Sequence, residues 1–599
     1  MIYHCEDHTC NYWDEGEKLP ERCPQCGRKL LRANEADMTG DDWTALGNTL
    51  WYAEASDKKR MVDCFRKAAY LGSAWGVCNL GICMEQGNGV EADPVQAFWL
   101  YQQAVEMGSL NAVCCLGVCY QYGIGTAPDA EKAAELYCKA AEYGSPRGQM
   151  LLARAFHDGI GVEADAAEAV HWVRAAAYQR YGEGMYRLGV CYEYGDGVEQ
   201  NWEHAVHWFR EAAESGVSTA MTDLGYCYEK GCGVEQSWEQ AFSWYRRGAE
   251  CGYPVSMSNL GLCYKRGYGV EQNWQEAIKW YEQGAQCGDL QSMHNLACCY
   301  ERGEGVEQNE DRALYWYRRG AEGGNGSAMC NLGRCYKRGY GVEQNWQEAV
   351  KWYEQGAQCG NLQSMHNLAC CYEHGEGVEQ NMTEAIRWYT AAAEGGNADA
   401  MHNLGWHYDH GEGVEQDMKK AICWYERAAE QNHPAAMNSL GECYAMGRGV
   451  PRDLETAMEW YRRAAELGEA MADYNMGWHL EQAGKLSEAY AHYRKAADGN
   501  DDSAWWALGR FYENGVVVAQ DGKEARRCYE TGEKLGSVKC KMRLARCKLL
   551  GIGGRREKKA GLDLCRQALE LAKESSEKED YGYEAEMNLL RRTIAENES

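Results

Sequence analysis

The chain repeats one pattern every 36 residues, and this period limits the possible folds more than any other feature. A large apolar residue, nearly always leucine, marks each unit, and we call its position n. These positions are Leu80, Leu116, Leu152, Leu188, Leu224, Leu260, Leu296, Leu332, Leu368, Leu404, Leu440 and Met476, with Leu46 before them and Leu508 and Leu544 after them. Fifteen units of this length are typical of a solenoid, in which each unit buries its apolar face against the next.

The unit around Leu260 predicts a helix followed by a tight turn. Met257, Leu260 and Tyr264 recur at helical spacing, so they would share one face of the helix. Gly267 would end the helix with a positive φ, and Gly269 would permit the reversal of the chain after it. Each unit is therefore expected to begin with one short amphipathic helix.

A second helix is predicted to follow the turn in the same unit. Asn273 would cap its first turn, with Glu276 at the spacing of a capping box. The expected buried face of this helix consists of Ala277, Trp280, Tyr281 and Ala285. The small residue Gly261 on the first helix would let the two backbones approach closely, with large rings filling the space beside it.

These motifs resemble the Sel1-like repeat family, a relative of the tetratricopeptide repeats. The resemblance rests on LG–x2–Y–x2–G–x–G–V, then A–x2–WY and A–x2–G, and covers roughly residues 41–572. It implies an all-α, right-handed superhelical solenoid of about fifteen helical hairpins over 35–574, with a capping helix in 575–599. It also implies a concave groove, lined by first helices, that binds protein or peptide partners. Ala153 and Phe156 depart from the Gly and Tyr of the motif.

The net charge of −28 constrains the partners and the surroundings of the chain. An acidic surface repels phosphate backbones and anionic lipids, so neither nucleic acid nor a membrane is an expected partner. Solubility accounts for this charge, and a basic protein partner is the alternative. The N-terminus lacks the features of a signal peptide, so we expect a cytoplasmic protein whose 30 cysteines are thiols or metal ligands. No oligomeric state is predicted.

Four cysteines before the repeats predict a metal site. Cys23-Pro24-Gln25-Cys26-Gly27 is typical of a zinc knuckle, and Cys5 and Cys10 would complete a Cys₄ site. Residues 1–34 resemble a zinc ribbon or rubredoxin-like module, and one structural Zn²⁺ is the expected cofactor. His4 or His8 could replace a ligand, and iron could replace zinc. The alternative is a set of ordinary free thiols.

Polar residues recur at fixed positions around n, and they form the predicted partner-binding set. At n−1 stand Asn79, Asn259, Asn295, Asn331, Asn367 and Asn403, and at n−2 stand His294, His366 and His402. An amide offers a donor and an acceptor, which matches the backbone of an extended peptide. The alternative is that each Asn satisfies neighbouring protein groups.

Thiols and further histidines allow other roles for the repeats. Cysteines recur at n+3, as in Cys83, Cys119, Cys191, Cys227, Cys263, Cys299, Cys335, Cys371 and Cys443. Core packing is the expected role of these thiols, since a buried cysteine behaves as a small hydrophobe. His402, His407 and His410 could form a second metal site, but ordinary groove histidines are the preferred interpretation.

The sequence lacks a P-loop, a G-x-S-x-G, an H-E-x-x-H and a Rossmann glycine set. We therefore expect a non-enzymatic adaptor or scaffold, with a thiol-dependent or hydrolytic enzyme that uses groove Cys and His residues as the alternative. A nucleic-acid factor built on the basic residues Arg22, Arg28, Lys29 and Arg32 is a third hypothesis. Segments 264–309 and 336–381 differ at three positions, which indicates a recent duplication or two similar subsites.

Overall fold

A computed structural model describes residues 2–5, 13–15, 30–33, 35–52, 57–578 and 584–598. These residues contain a three-stranded sheet, one short 3-10 helix and 31 α-helices. The chain divides into two compact units, Met1–Gln308 and Asn309–Ser599. The helices alternate as first and second helices of the repeats, which confirms the predicted helical-repeat fold.

A small antiparallel sheet precedes the helices in the first unit. It consists of β1 (Ile2–Cys5), β2 (Trp13–Glu15) and β3 (Leu30–Ala33), in the order β2-β1-β3. The register pairs Cys5, the last residue of β1, with Leu30, the first residue of β3. The end of β1 and the start of β3 therefore meet at one edge of the sheet.

The 3-10 helix Glu35–Asp37 leads into the helices of the first unit. The first helices of its repeats are α1 (Gly40–Tyr52), α3 (Ala74–Gln86), α5 (Leu110–Tyr122), α7 (Pro146–Asp158), α9 (Gly182–Tyr194), α11 (Ser218–Lys230), α13 (Pro254–Arg266) and α15 (Leu290–Arg302). The second helices are α2 (Lys58–Tyr70), α4 (Pro94–Glu106), α6 (Ala130–Glu142), α8 (Ala166–Tyr178), α10 (Trp202–Glu214), α12 (Trp238–Glu250) and α14 (Trp274–Gln286).

The second unit continues the same alternation. Its second helices are α16 (Glu310–Glu322), α18 (Trp346–Gln358), α20 (Met382–Glu394), α22 (Met418–Glu430), α24 (Leu454–Glu466), α26 (Leu486–Asp498), α28 (Gly522–Lys534) and α30 (Lys558–Lys578). Its first helices are α17 (Gly326–Arg338), α19 (Leu362–His374), α21 (Ala398–His410), α23 (Pro434–Met446), α25 (Ala470–Gln482), α27 (Asp502–Asn514) and α29 (Val538–Leu550). Helix α31 (Glu584–Glu598) follows them.

The turn between α13 and α14 shows why most repeats carry two glycines. Gly267 caps α13 in the left-handed conformation, with φ of 73°. Gly269 also has a positive φ, and a Cβ atom there would lie 2.2 Å from the carbonyl oxygen of Trp238 in the preceding repeat. The first glycine therefore ends a helix, and the second allows close contact between repeats. Asn273 caps α14 as predicted and accepts hydrogen bonds from two backbone N–H groups.

In most hairpins the core forms where a small residue of the first helix, glycine or alanine, meets a ring of the second helix. A Cβ atom at Gly261 would lie only 2.5 Å from Cε1 of Tyr281, so this glycine contacts the ring directly. Ala277 and Ala285 are buried beside it as predicted. Trp280 differs from the prediction because it is only half-buried, and the buried neighbour of Tyr281 on α14 is Ile278.

The same contact recurs through both units. The fully buried tyrosines are Tyr101, Tyr137, Tyr245, Tyr281, Tyr317, Tyr353, Tyr389, Tyr425, Tyr461, Tyr493 and Tyr529. Within each unit, successive first helices also touch, as α3 touches α5 and α17 touches α19. First helices thus approach one another more closely than second helices do, which places them on the inner side of each curved stack.

No helix in the described ranges is long and apolar enough to cross a membrane. The longest, α30, contains 21 residues and carries many charged side chains.

Replacement of Gly261 by Leu is expected to lower the free energy of unfolding by about 1–3 kcal/mol. The larger side chain would overlap the ring of Tyr281, and this clash outweighs the better helix propensity of Leu. Urea unfolding followed by circular dichroism measures the change. Leu262→Ala is the control, since Leu262 is the exposed neighbour on the same helix. An equal loss in both variants would contradict the role given to the ring contact.

Candidate functional site

The buried tyrosines connect the second helices to the inner face of each stack. The hydroxyl of Tyr245 on α12 donates to Glu229 at position n+5 of α11, over 2.9 Å. Tyr529 makes the same contact with Glu513, over 2.8 Å. Tyr245 and Tyr529 therefore cross the core and end beside a carboxylate of a first helix, whereas Tyr137 donates to the amide oxygen of Gln121. This arrangement fixes the orientation of the first-helix residues that face the inner surface.

Large apolar side chains are exposed on consecutive first helices of the first unit. We call this set the apolar row: Tyr194 on α9, Tyr226 on α11, and Val255 and Leu262 on α13. The four residues stand at n+6, n+2, n−5 and n+2 of their repeats, so they share one face of the first helices. The negative charge of Glu193 raises the pKa of Tyr194. A contiguous exposed apolar surface of this kind is typical of a protein-binding site.

Polar residues form a second feature, which we call the polar seam. Across successive first helices of the second unit, the residue at n−1 bonds to the residue at n−2 of the preceding repeat. The pairs are Asn367 with Cys330, Asn403 with His366, Ser439 with His402, and Asn475 with Asn438, at 3.0–3.4 Å. This geometry matches the alternative interpretation, in which these amides satisfy neighbouring protein groups.

The predicted partner-binding residues thus fall into two groups. Asn367, Asn403, His366 and His402 belong to the polar seam. Asn295 instead accepts a hydrogen bond from Gln291 on its own helix, and Asn331 is half-buried on α17. His294 lies 3.6 Å from the sulfur of Cys298. Asn259 makes no side-chain hydrogen bond with the described residues.

The buried histidines of the seam favour the neutral form. Burial lowers the pKa of His366, and burial together with the charge of His433 lowers the pKa of His402 to about 4. His407 contacts the backbone oxygen of Glu412, and His410 stacks on a tryptophan ring. Across the described ranges no three metal-ligating side chains come together, so the second metal site is not found among them.

The thiols at n+3 pack into the core, as predicted. Cys227 and Cys263 are at most 2% exposed, and burial raises the pKa of each thiol to about 12. Thiols with such pKa values stay protonated at neutral pH and are poor nucleophiles. This observation favours a structural role over the thiol-dependent alternative.

One thiol differs from the others in its charge environment. A hydrogen bond with Cys78 and the positive charge of Arg147 lower the pKa of Cys115. Burial and the same hydrogen bond raise the pKa of Cys78. Cys115 is only 5% exposed. Cys78 and Cys115 occupy positions n−2 and n−1 of neighbouring repeats. These are the same two positions that are hydrogen-bonded to each other in the polar seam.

The predicted zinc ligands lie mostly outside the described residues. Cys5 ends β1, whereas Cys10, Cys23 and Cys26 belong to ranges that the structure does not describe. Of the four predicted zinc ligands, the structure therefore describes the backbone of Cys5.

Comparison with protein families gives fourteen matches to the Sel1 repeat model. The matched segments are 76–109, 112–145, 146–181, 182–217, 218–253, 254–289, 290–325, 326–361, 362–397, 398–433, 434–469, 470–501, 504–537 and 538–573. The chain belongs to the Sel1 repeat family. Each matched segment begins on a first helix and, except for the last, ends beyond the following second helix; the last segment ends within α30. The hairpin of α1 and α2 has the same form but lies outside the matched segments.

The solved structure of a relative agrees with this assignment. The chain is 32% identical to c5321, described as a protective antigen of uropathogenic Escherichia coli strains with an SLR fold. That match covers 75% of this chain and 97% of the other, with a TM-score of 0.52. A Sel1 repeat protein from Oxalobacter formigenes is also 32% identical, with 41% and 96% covered and a TM-score of 0.37. No curated protein matches the sequence.

Two asparagines at the same repeat position should respond differently to truncation. Asn403→Ala is expected to lower the free energy of unfolding by about 0.5–1.5 kcal/mol, because His366 loses its hydrogen-bond partner. Asn259→Ala should change it by at most about 0.5 kcal/mol, because no such bond is lost. Urea unfolding of the two full-length variants measures both values. Equal losses would show that the seam contact adds nothing to stability.

Proposed function

We propose that this Sel1 repeat chain is a non-enzymatic cytoplasmic scaffold that binds protein partners along its first helices. The helical-repeat architecture suggests protein–protein interaction, and the apolar row is the observation that carries the proposal. Its four side chains stay exposed on three consecutive first helices, where burial against a partner would remove apolar surface from water. The acidic net charge disfavours nucleic acid and anionic membranes as partners.

The asparagines give this surface a means to hold a peptide backbone. Val255, Asn259 and Leu262 lie at helical spacing on one face of α13, so the unbonded amide of Asn259 sits between two exposed apolar side chains. Asn367 and Asn403 each use one amide hydrogen in the polar seam and keep the other for a partner. We include Asn295, Asn331, His294, His366 and His402 in the same proposed surface.

Charge introduced into the apolar row should abolish partner binding. The test compares affinity purification from cell extract with the wild-type chain and with Tyr226→Glu/Leu262→Glu, followed by quantitative mass spectrometry. The expected result is at least a fivefold loss of the recovered partners in the double variant. A buried carboxylate without a partner opposes docking of an apolar surface, which is the physical reason for the loss.

Tyr143→Glu supplies the matched control for this experiment. Tyr143 is exposed at the end of the second helix α6, away from the first-helix residues of the apolar row. Its variant should recover partners as the wild type does. Undiminished recovery with Tyr226→Glu/Leu262→Glu would rule out the apolar row as the docking surface.

We also propose that residues 1–34 bind one structural Zn²⁺ through Cys5, Cys10, Cys23 and Cys26. Cys5 faces Leu30 across the sheet, and Cys26 precedes Leu30 by only four residues in the chain. Cys10 lies in the connection that leaves β1 directly after Cys5. Cys23 precedes Leu30 by seven residues, so all four cysteines lie close in sequence to the paired ends of β1 and β3. A bound zinc ion would tie together a module too small for a large core.

Metal analysis of the purified full-length chain tests the zinc proposal. We expect about one zinc per chain by inductively coupled plasma mass spectrometry. Cys23→Ser/Cys26→Ser should lose the metal while the helical circular dichroism signal stays unchanged, because the repeats do not depend on the ligands. Wild-type protein without zinc or iron would contradict the proposal, and iron in place of zinc would correct the identity of the metal.

A further inference from the structure

The repeat of α7 and α8 lacks the ring that fills the core of most other repeats, and in the first unit it is the repeat with Val173 at the ring position. In the preceding repeat a Cβ atom at Gly117 would lie 2.5 Å from Cε1 of Tyr137. The equivalent positions in the hairpin of α7 and α8 are Ala153 and Val173. The side chain of Val173 is too short to reach the inner face of the stack. The methyl group of Ala153 fills only a small part of the space that a tyrosine ring occupies in other repeats.

A pocket of about 600 Å³ lies at this place, between α7 and α9 and above α8. Its inner wall includes Ala153, Val170 and Val173, and we call it the Val173 pocket. The space is open to the surface: Ala169 is 5% exposed there, whereas the equivalent Ala133 is 0% exposed.

The rim of the Val173 pocket holds one cation without an acidic partner. Arg154 pairs with Asp158 at 3.3 Å, and Arg187 pairs with Glu183 at 2.9 Å. Arg147 differs, because among residues 35–52, 57–578 and 584–598 no carboxylate lies within 4 Å of its guanidinium.

The contacts of Arg147 are with neutral groups. Its Nη1 donates to the side-chain oxygen of Asn111 over 2.7 Å and lies 3.7 Å from the sulfur of Cys115. In a chain with a net charge of −28, an arginine without a carboxylate beside an apolar pocket attracts an acidic group. A planar guanidinium binds a carboxylate through two parallel hydrogen bonds, which adds orientation to the attraction.

His157 contacts two acidic side chains of this rim. It stands at n+5, where other repeats place the carboxylate that receives the tyrosine hydroxyl. Its two ring nitrogens contact Asp158 at 2.7 Å and Asp196 at 3.2 Å. These contacts connect α7 to the turn after α9 across the mouth of the pocket. The nearby carboxylates are therefore already paired, and Arg147 is the cation left for a ligand.

We propose that the Val173 pocket receives an aromatic side chain of a protein partner, with a neighbouring carboxylate of that partner held by Arg147. Other repeats show that an aromatic ring fits between these helices, because the chain supplies Tyr137 and Tyr245 there itself. Aromatic side chains dominate the energy of protein interfaces when they enter such pockets. This inference rests on the proposed scaffold function and names one feature of the partner.

Isothermal titration calorimetry of the full-length chain with short peptides tests the inference. The probe is acetyl-Gly-Phe-Asp-Gly-amide, and two matched peptides replace Phe with Ala or Asp with Asn. Each replacement should weaken binding at least fivefold. Phenylacetate is the small-molecule arm, and we expect it to bind at least tenfold more weakly than the peptide. If phenylacetate binds as tightly as the peptide, or if the probe does not bind at millimolar concentration, the proposal is wrong.

Two variants of the chain complete the test. Ala153→Gly/Val173→Tyr restores the glycine and ring of the other repeats, so it should fold, keep its thermal midpoint and bind the probe at least tenfold more weakly. Arg147→Gln should remove the difference between the Asp and Asn peptides, while Arg266→Gln, at an exposed site on α13, should retain it. Undiminished binding by the filled pocket would overturn the proposal, and the Arg147 comparison decides the question if the double variant misfolds.

The outcome is separable from that of the proposed function. If the probes fail while Tyr226→Glu/Leu262→Glu still loses its partners, the pocket proposal falls and the scaffold proposal stands. If the probes bind as expected and Tyr226→Glu/Leu262→Glu keeps its partners, the apolar row is not the docking site and the Val173 pocket is.

Discussion

The contact between a small residue on the first helix, most often glycine, and an aromatic ring on the second helix governs the rest of this structure. At Gly261 the ring of Tyr281 occupies the space of a missing side chain, so two helices that are only 13 residues long can pack closely. The ring also reaches through the core, and in several repeats its hydroxyl meets a carboxylate at n+5. One contact thus sets both the helix spacing and the orientation of the inner face.

The absence of that contact in one repeat explains the Val173 pocket of the first unit. Where Val173 replaces the ring, the core no longer fills the space between α7 and α9, and a pocket replaces a packed interior. The polar seam shows the opposite behaviour in the second unit, since Asn403 and His366 tie neighbouring first helices together. Repeats with the same backbone fold therefore have different roles. A few side chains decide whether a given position stabilises the stack of helices or is available to a partner.

Much of the fold could be predicted from particular residues. Gly267, Asn273 and Ala277 behave as their spacing indicated, because caps, turns and small core residues obey local rules. The expected burial of Trp280 was wrong, because its neighbour Ile278 takes the buried position. The departure at Ala153 was visible in the sequence, yet its consequence depends on Val173 in the facing helix. The seam bonds agree with the alternative that asparagines satisfy neighbouring protein groups, but their individual partners could not be predicted, because they lie about 37 positions away in the sequence.

The 36-residue period by itself determined the helical repeat, the positions of its turns and the burial of the thiols at n+3, since each depends on local spacing and on the immediate neighbour. Only the tertiary structure decided which asparagines are already bonded, which arginine lacks an acidic partner and where a pocket opens. These properties depend on distances between side chains of different repeats. A sequence pattern places such side chains on a common face, but the packing of the helices sets how far apart they lie.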